Sequence, residues 1–207
     1  MNLFLTSKTL INEEVTNEFV SFAGGLKKVV IVSTAAEYKE KNRNNIELDR
    51  KLKNLGFTSS FIDLEHEEVG RLREAEIVVL GGGNPYILLH HMQRTRADLL
   101  LKSLIPCGLH IMAISAGIFT LMKNLEVVDW LTPEMNTVLL KDKDGMHVID
   151  EVVVPHYDRF ISEARIEQEV IDKFEAEIGS QVVRLGEQQC MRYCDGVFNM
   201  IGPKMRL

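Results

Sequence analysis

The chain has 207 residues, 45% of them hydrophobic and 26% charged, and carries a formal net charge of −6. That length buries a core without disulfide or metal staples, and the balance is that of one globular domain spanning residues 1–207. The net negative charge argues against non-specific nucleic-acid binding, which depends on Lys and Arg neutralising phosphates. Cys107, Cys190 and Cys194 are odd in number and lack paired zinc-type spacing, so reduced thiols are expected. The start, "MNLFLTSKTL", has no charged leader and too short an apolar run for a signal peptide or membrane span. A cytoplasmic protein with no membrane partner is therefore expected.

Elements alternate along the first half. "NLFLT" is a candidate strand, followed by a helix capped by Asn12 and stopped by Gly24 and Gly25. "KKVVIVST" reads as a central strand, because the β-branched run Val29 to Val32 needs cover on both faces. A helix over residues 45–54 places Ile46, Leu48, Leu52 and Leu55 on or near one face and ends at Gly56. "TSSFIDL" is a weaker strand before a short charged helix, and "EIVVLGGGN" is a strong strand ending in three glycines. A helical region around residues 97–104 leads into the strand "LHIMAIS". This alternation implies right-handed crossovers and a largely parallel sheet with helices on both sides, an α/β three-layer sandwich.

The second half is less regular. "KDKDG" at residues 141–145 is a turn signal between "TVLL" and "MHVID", which predicts a hairpin. "EVVVPH" is another strand and ends at a histidine. Ile166, Val170, Phe174 and Ile178 recur every four residues and mark the buried stripe of a helix ending at Gly179. The tail from Gln181 to Gly202 holds two or three strands with Asp195-Gly196 as a tight turn, so antiparallel strands join the sheet late.

In "HIMAISAGIFT" the hydroxyl of Ser115 stands where a strand gives way to a helix. A nucleophile at such a turn has a strained backbone and tolerates only small second neighbours, which Ala113 and Gly117 satisfy. The Ala116 amide would open the helix beside it as a donor to developing negative charge. The alternative is that Ser115 merely caps that helix. In "VVLGGGNPY", Gly81, Gly82 and Gly83 follow a buried strand, and glycines let backbone N–H groups approach a reacting oxygen closely. A phosphate loop or a plain tight turn competes with this reading, but the spacing of nucleotide loops is absent.

"VVVPHYD" delivers His156 at the end of a strand, directly after Pro155, and imidazole is suited to take a serine proton near neutral pH. The other histidines are less promising. His90 and His91 are adjacent rather than at metal spacing, His66 and His147 lie in polar segments, and His110 begins the strand that ends near Ser115. No metal or cofactor is expected.

"LGGGN", "ISAGI" and "VPHYD", in that order and at these separations, resemble the dipeptidase E and cyanophycinase family of serine peptidases. The resemblance covers most of the chain and implies a fold like that of the class I glutamine amidotransferases, with serine in place of their cysteine. Members usually carry Gly two residues before the serine, where this chain has Ala113. Carried over by residue, the resemblance implies Ser115 as nucleophile, His156 as general base, Gly82, Gly83 and Ala116 as oxyanion-hole amides, and Asn84 as shaping the substrate-side loop. The third member must accept the other imidazole N–H. Glu187 in "VRLGEQQ" matches the family's glutamate before the last hairpin, with Asp129 and Asp158 as alternatives.

The resemblance further implies cleavage of short peptides at an acidic residue near the N-terminus. A substrate carboxylate calls for a guanidinium, and Arg159 and Arg165 are the candidates, either of which could instead be a solvated helix residue. An esterase or amidase on a non-peptide substrate, or a catalytically silent binder of a small metabolite, are the rival readings. Cyanophycin degradation is disfavoured by the short chain. A homodimer is compatible with the sequence, which does not fix the oligomeric state.

Overall fold

Runs of β-branched and aliphatic residues with no polar face must be covered on both sides, and the chain supplies that cover from helices between its strands. In the computed structural model, which describes residues 1–163, 168–194 and 196–205, the strands are β1 (Asn2–Thr6), β2 (Lys28–Val32), β3 (Thr58–Ile62), β4 (Ile77–Leu80), β5 (His110–Ile114), β6 (Val153–Val154), β7 (Val183–Arg184), β8 (Cys190–Cys194) and β9 (Val197–Ile201). The helices are α1 (Glu13–Ala23), α2 (Arg43–Asn54), α3 (Pro85–Thr95), α4 (Ala97–Leu104), α5 (Ala116–Leu121), α6 (Glu126–Leu131), α7 (Tyr157–Ser162) and α8 (Gln168–Ile178). The main sheet runs β3-β2-β4-β5-β1-β8-β9. Its first five strands are parallel, whereas β8 is antiparallel to β1 and β9 to β8. The expected α/β sandwich with late antiparallel strands is therefore what forms.

Alternate strand residues feed two cores. Phe4, Val29, Ile31, Val79 and Met112 pack against Phe19 and Phe22 of α1 and Leu48 and Leu52 of α2. Leu5, Val30, Val78, Ile111 and Ala113 face Leu88 and Met92 of α3, Leu101 of α4 and Ile118 of α5. Asn12 caps α1 by accepting the Val15 amide, and Gly24 closes it in the left-handed region at φ 58°. Register sets the working edge of the molecule. Val32 pairs with Leu80, Leu80 with Ala113, and Thr6 with Ile114, so β2, β4, β5 and β1 release their chains at one level. Ligands bind at that carboxyl edge in open α/β sheets.

Three expectations need correction. Residues 137–150 form no hairpin. The amides of Gly145, Met146, His147 and Val148 instead donate to the carbonyls of Lys123, Thr120, Met122 and Leu121. A short helix leaves its last carbonyls without partners, and this segment satisfies them around the end of α5. Ile46 is 53% exposed. It lies two residues before buried Leu48, about 200° around the helix, so the two cannot share a face. The "EVVVPH" strand is only the two-residue β6, and it pairs with β7 outside the main sheet. Val170, Phe174 and Ile178 do line α8 on its packed side, while Ile166 and Asp195 lie outside the described residues.

Phe19 is fully buried, with ring centroids 5.6 Å from Phe4 and 5.4 Å from Phe57. Phe19→Ala is expected to cost about 3–5 kcal/mol in urea unfolding, and Ile46→Ala less than about 0.5 kcal/mol. Equal losses would contradict the placement of α2.

Candidate active site

β5 ends at Ile114 and α5 begins at Ala116, so Ser115 alone makes the turn, at φ 49° and ψ −108°. Its amide donates to the Thr6 carbonyl at 3.0 Å, and its carbonyl accepts from Ile118 at 2.9 Å. Its side chain makes no capping bond to α5. The turn presses α5 against β4. A Cβ on Gly117 would stand 2.3 Å from the Leu80 carbonyl oxygen, a distance no side chain can occupy. Ala113 is fully buried between its partners Leu5 and Leu80, where its methyl joins the apolar core.

The glycine loop is pinned on both sides. The Gly81 amide donates to Val32 at 3.1 Å and the Asn84 amide to Ala35 at 2.8 Å. Between them Gly83 adopts φ 138°, and a Cβ there would meet the Ala35 carbonyl oxygen at 2.0 Å, so only glycine fits. Gly82 lies against the serine: a Cβ on it would stand 3.4 Å from Ser115 Cβ. Asn84 shapes this loop as the cap of α3, accepting from the Tyr86 and Ile87 amides at 2.9 and 3.2 Å and donating to the Met135 carbonyl at 2.7 Å.

His156 follows β6 in the left-handed region, at φ 59° and ψ 22°. Its Nε2 lies 3.0 Å from Ser115 Oγ, and its Nδ1 lies 3.0 Å from Glu187 Oε1. Glu187 Oε2 takes the ammonium of Lys8, and the Arg159 guanidinium stands 3.7 Å from Oε1. Burial pushes the imidazole below its ordinary value, against the opposing pull of the Glu187 carboxylate. Burial also raises Glu187, but the Lys8 ammonium and the imidazole outweigh it and hold the carboxyl below the usual carboxylate range.

The other candidates sit elsewhere. Asp129 accepts from the Tyr86 hydroxyl at 2.6 Å and pairs with Lys143 at 2.5 Å. Asp158 accepts the Glu187 amide at 3.0 Å and the Arg159 amide at 2.9 Å, which makes it a support for the Glu187 backbone. Arg165 lies outside the described residues.

Ser115 and His156 border a cleft of about 590 Å3. Ser115, Gly82, Gly83, His156 and Arg159 line one part of it, and Arg43 and Asn45 from the start of α2 face it from another. Sequence reasoning missed this second wall, and it missed Ser7 and Lys8. The available signal was the polar "TSK" directly after an apolar strand, at the edge where α/β sheets bind ligands. Among the described residues, the grouping Asp63, Glu65 and His66 could offer metal-ligand atoms. Lys39 already stands 3.5 Å from the first carboxylate and 2.9 Å from the second, and none of the three lines the cleft.

An α/β sheet that brings a serine hydroxyl, an imidazole and a carboxylate into hydrogen-bond sequence at its carboxyl edge has the architecture of a serine hydrolase. Residues 3–201 match the model of Peptidase family S51, and the chain belongs to that family. It is a serine peptidase, as the resemblance to the dipeptidase E and cyanophycinase family implied. The chain is 29% identical over 164 residues to an uncharacterized peptidase of Listeria monocytogenes, covering 76% of this chain and 78% of that protein. It is 23% identical over 212 residues to Peptidase E of Nostoc sp., covering 98% and 86%. The crystal structure of a candidate Peptidase E from Listeria monocytogenes EGD-e superposes with a TM-score of 0.81 at 23% identity, covering 98% of both chains. Among the described residues no helix is long and apolar enough to cross a membrane.

Because Gly117 meets the β4 carbonyl so closely, Gly117→Ala is expected to cost about 1–3 kcal/mol of stability and to lower kcat as the elbow shifts. Thermal unfolding and peptide turnover check this together, and unchanged values of both would contradict the packing described.

Proposed function

We propose that the chain hydrolyses short peptides at an acidic residue near their N-terminus, through an ester formed on Ser115. The observation that supports this most directly is the unbroken run Ser115–His156–Glu187, with 3.0 Å at each step. Glu187 accepts the Nδ1 proton, which leaves the Nε2 lone pair facing the hydroxyl. Burial keeps His156 neutral at neutral pH, so it is ready as a base. His156 takes the hydroxyl proton as Ser115 Oγ bonds to the scissile carbonyl carbon. The amides of Gly82, Gly83 and Ala116 receive the oxyanion. Collapse breaks the C–N bond, and the leaving amine takes the proton from His156. Water then attacks the ester by the reverse use of the same base, releasing the acid and restoring the hydroxyl.

Arg159 is the cation we assign to the acidic side chain of the substrate. It lines the cleft beside Ser115, and its guanidinium fork offers five donors, more than its contacts at 3.0 Å to Glu163 and 3.7 Å to Glu187 consume. Arg165 is the second candidate for that contact. The size of the cleft suits a peptide of a few residues rather than a folded protein.

Hydrolysis of matched aspartyl and asparaginyl dipeptides tests the reading. The wild type is expected to prefer the aspartyl peptides, and Ser115→Ala to lose at least about 10⁴-fold in kcat. Arg159→Met is expected to raise KM for the aspartyl peptides about tenfold while leaving the asparaginyl peptides nearly unchanged. Activity retained by Ser115→Ala would overturn the mechanism, and equal use of both peptide sets the specificity. The sign of the pH dependence also follows. Since the imidazole is lowered by burial, kcat/KM should rise with pH to a plateau, with its acid midpoint below the ordinary histidine value of about 6.5. A midpoint above that value would contradict the assignment of His156.

A further inference from the structure

Three consecutive residues at the end of β1 each hold one of the three groups this reaction needs. The Thr6 carbonyl accepts the Ser115 amide at 3.0 Å. The Ser7 hydroxyl accepts the His156 amide at 2.9 Å and donates to the Leu185 carbonyl at 3.1 Å. The Lys8 ammonium pairs with Glu187 Oε2, the oxygen that His156 does not use.

The left-handed turn at His156 takes its amide out of the β6–β7 pairing, and a buried amide must find an acceptor. Ser7, only 1% exposed, supplies that acceptor. Its bond onward to Leu185, two residues before Glu187, ties the segments that carry the base and the carboxylate to a single oxygen. An alanine could fill the space but would leave both backbone groups without this partner. Lys8 acts at the other end of the carboxylate. Arg159 stands 3.7 Å from Oε1, the same oxygen that meets the imidazole, so a cation on Oε2 resists rotation of the carboxylate toward that guanidinium.

We propose that Ser7 and Lys8 are positioning residues for the peptidase reaction, Ser7 fixing the backbone that carries His156 and Lys8 holding the Glu187 carboxylate so that its other oxygen meets the imidazole. This rests on the Ser115–His156–Glu187 reading above. The charged groups around the imidazole are Glu187, Arg159 and Lys8, with Asp158 behind on the Glu187 amide. Glu187 raises His156, whereas Arg159 and Lys8 lower it. Removing the Lys8 charge therefore moves the acid limb of kcat/KM to higher pH, a change that a purely structural role does not produce.

The test measures kcat, KM and the pH profile for Lys8→Met, Lys8→Arg, Ser7→Ala and His156→Ala on one peptide substrate, with thermal unfolding alongside. Lys8 is partly exposed, so its variants keep the fold even if Ser7→Ala does not. Lys8→Met and Ser7→Ala are each expected to lose about tenfold or more in kcat at nearly constant KM. Lys8→Met should also shift the acid limb upward, and Lys8→Arg should restore most of the loss. Wild-type kcat and pH profile in Lys8→Met, or a rise in KM alone, would overturn the proposal while His156→Ala remained inactive. Turnover by His156→Ala would overturn the triad reading itself and this proposal with it.

Discussion

Ser115 turns the chain from strand to helix within one residue, in a backbone conformation that L-residues rarely adopt, at φ 49° and ψ −108°. Such a conformation costs on the order of 1–3 kcal/mol and persists only where its surroundings over-determine it. Here the Ser115 amide is tied to β1 through Thr6, and Gly117 lies so close to the Leu80 carbonyl that α5 can start nowhere else. The consequence is a hydroxyl that leaves the helix uncapped and points to the imidazole instead. The glycine loop depends on the same packing, because Gly82 lies against Ser115 and Gly83 against Ala35.

Register then does the assembling. Four strands end at one level, so groups 41 and 31 residues apart along the chain meet at hydrogen-bond distance. Burial and charge act in opposite directions on the imidazole. Burial favours its neutral form, while Glu187 stabilises the imidazolium that proton transfer from Ser115 would create. Lys8 moderates the second effect from the far side of the carboxylate. A base of this kind would be neutral before the proposed reaction and would not be left without a counter-ion during it.

Much of this was legible in the sequence because it rests on local steric demands. The β-branched run of β2, the three glycines after β4, and the small neighbours of Ser115 each have a reading that does not depend on distant residues. His156 stood out through its place after Pro155 at a strand end, and Glu187 through family resemblance rather than through any local signal. What stayed hidden depends on tertiary arrangement. That Thr6, Ser7 and Lys8 face the site follows from β1 lying between β5 and β8, an order that no local pattern encodes. The supposed hairpin at residues 137–150 failed because the carbonyls at the end of α5 take up its amides, a partner invisible to turn chemistry. Asp158 lies in the first turn of α7 and accepts the neighbouring Arg159 amide, but its second role on the Glu187 amide depends on a segment 29 residues further along the chain.

The most direct measurement is intact mass followed by peptide mapping after exposure of the folded protein to a fluorophosphonate. The account predicts a single phosphonyl adduct, located on Ser115. A folded protein that stays unmodified, or that carries its adduct on another side chain, would contradict the claim that this hydroxyl is activated by His156.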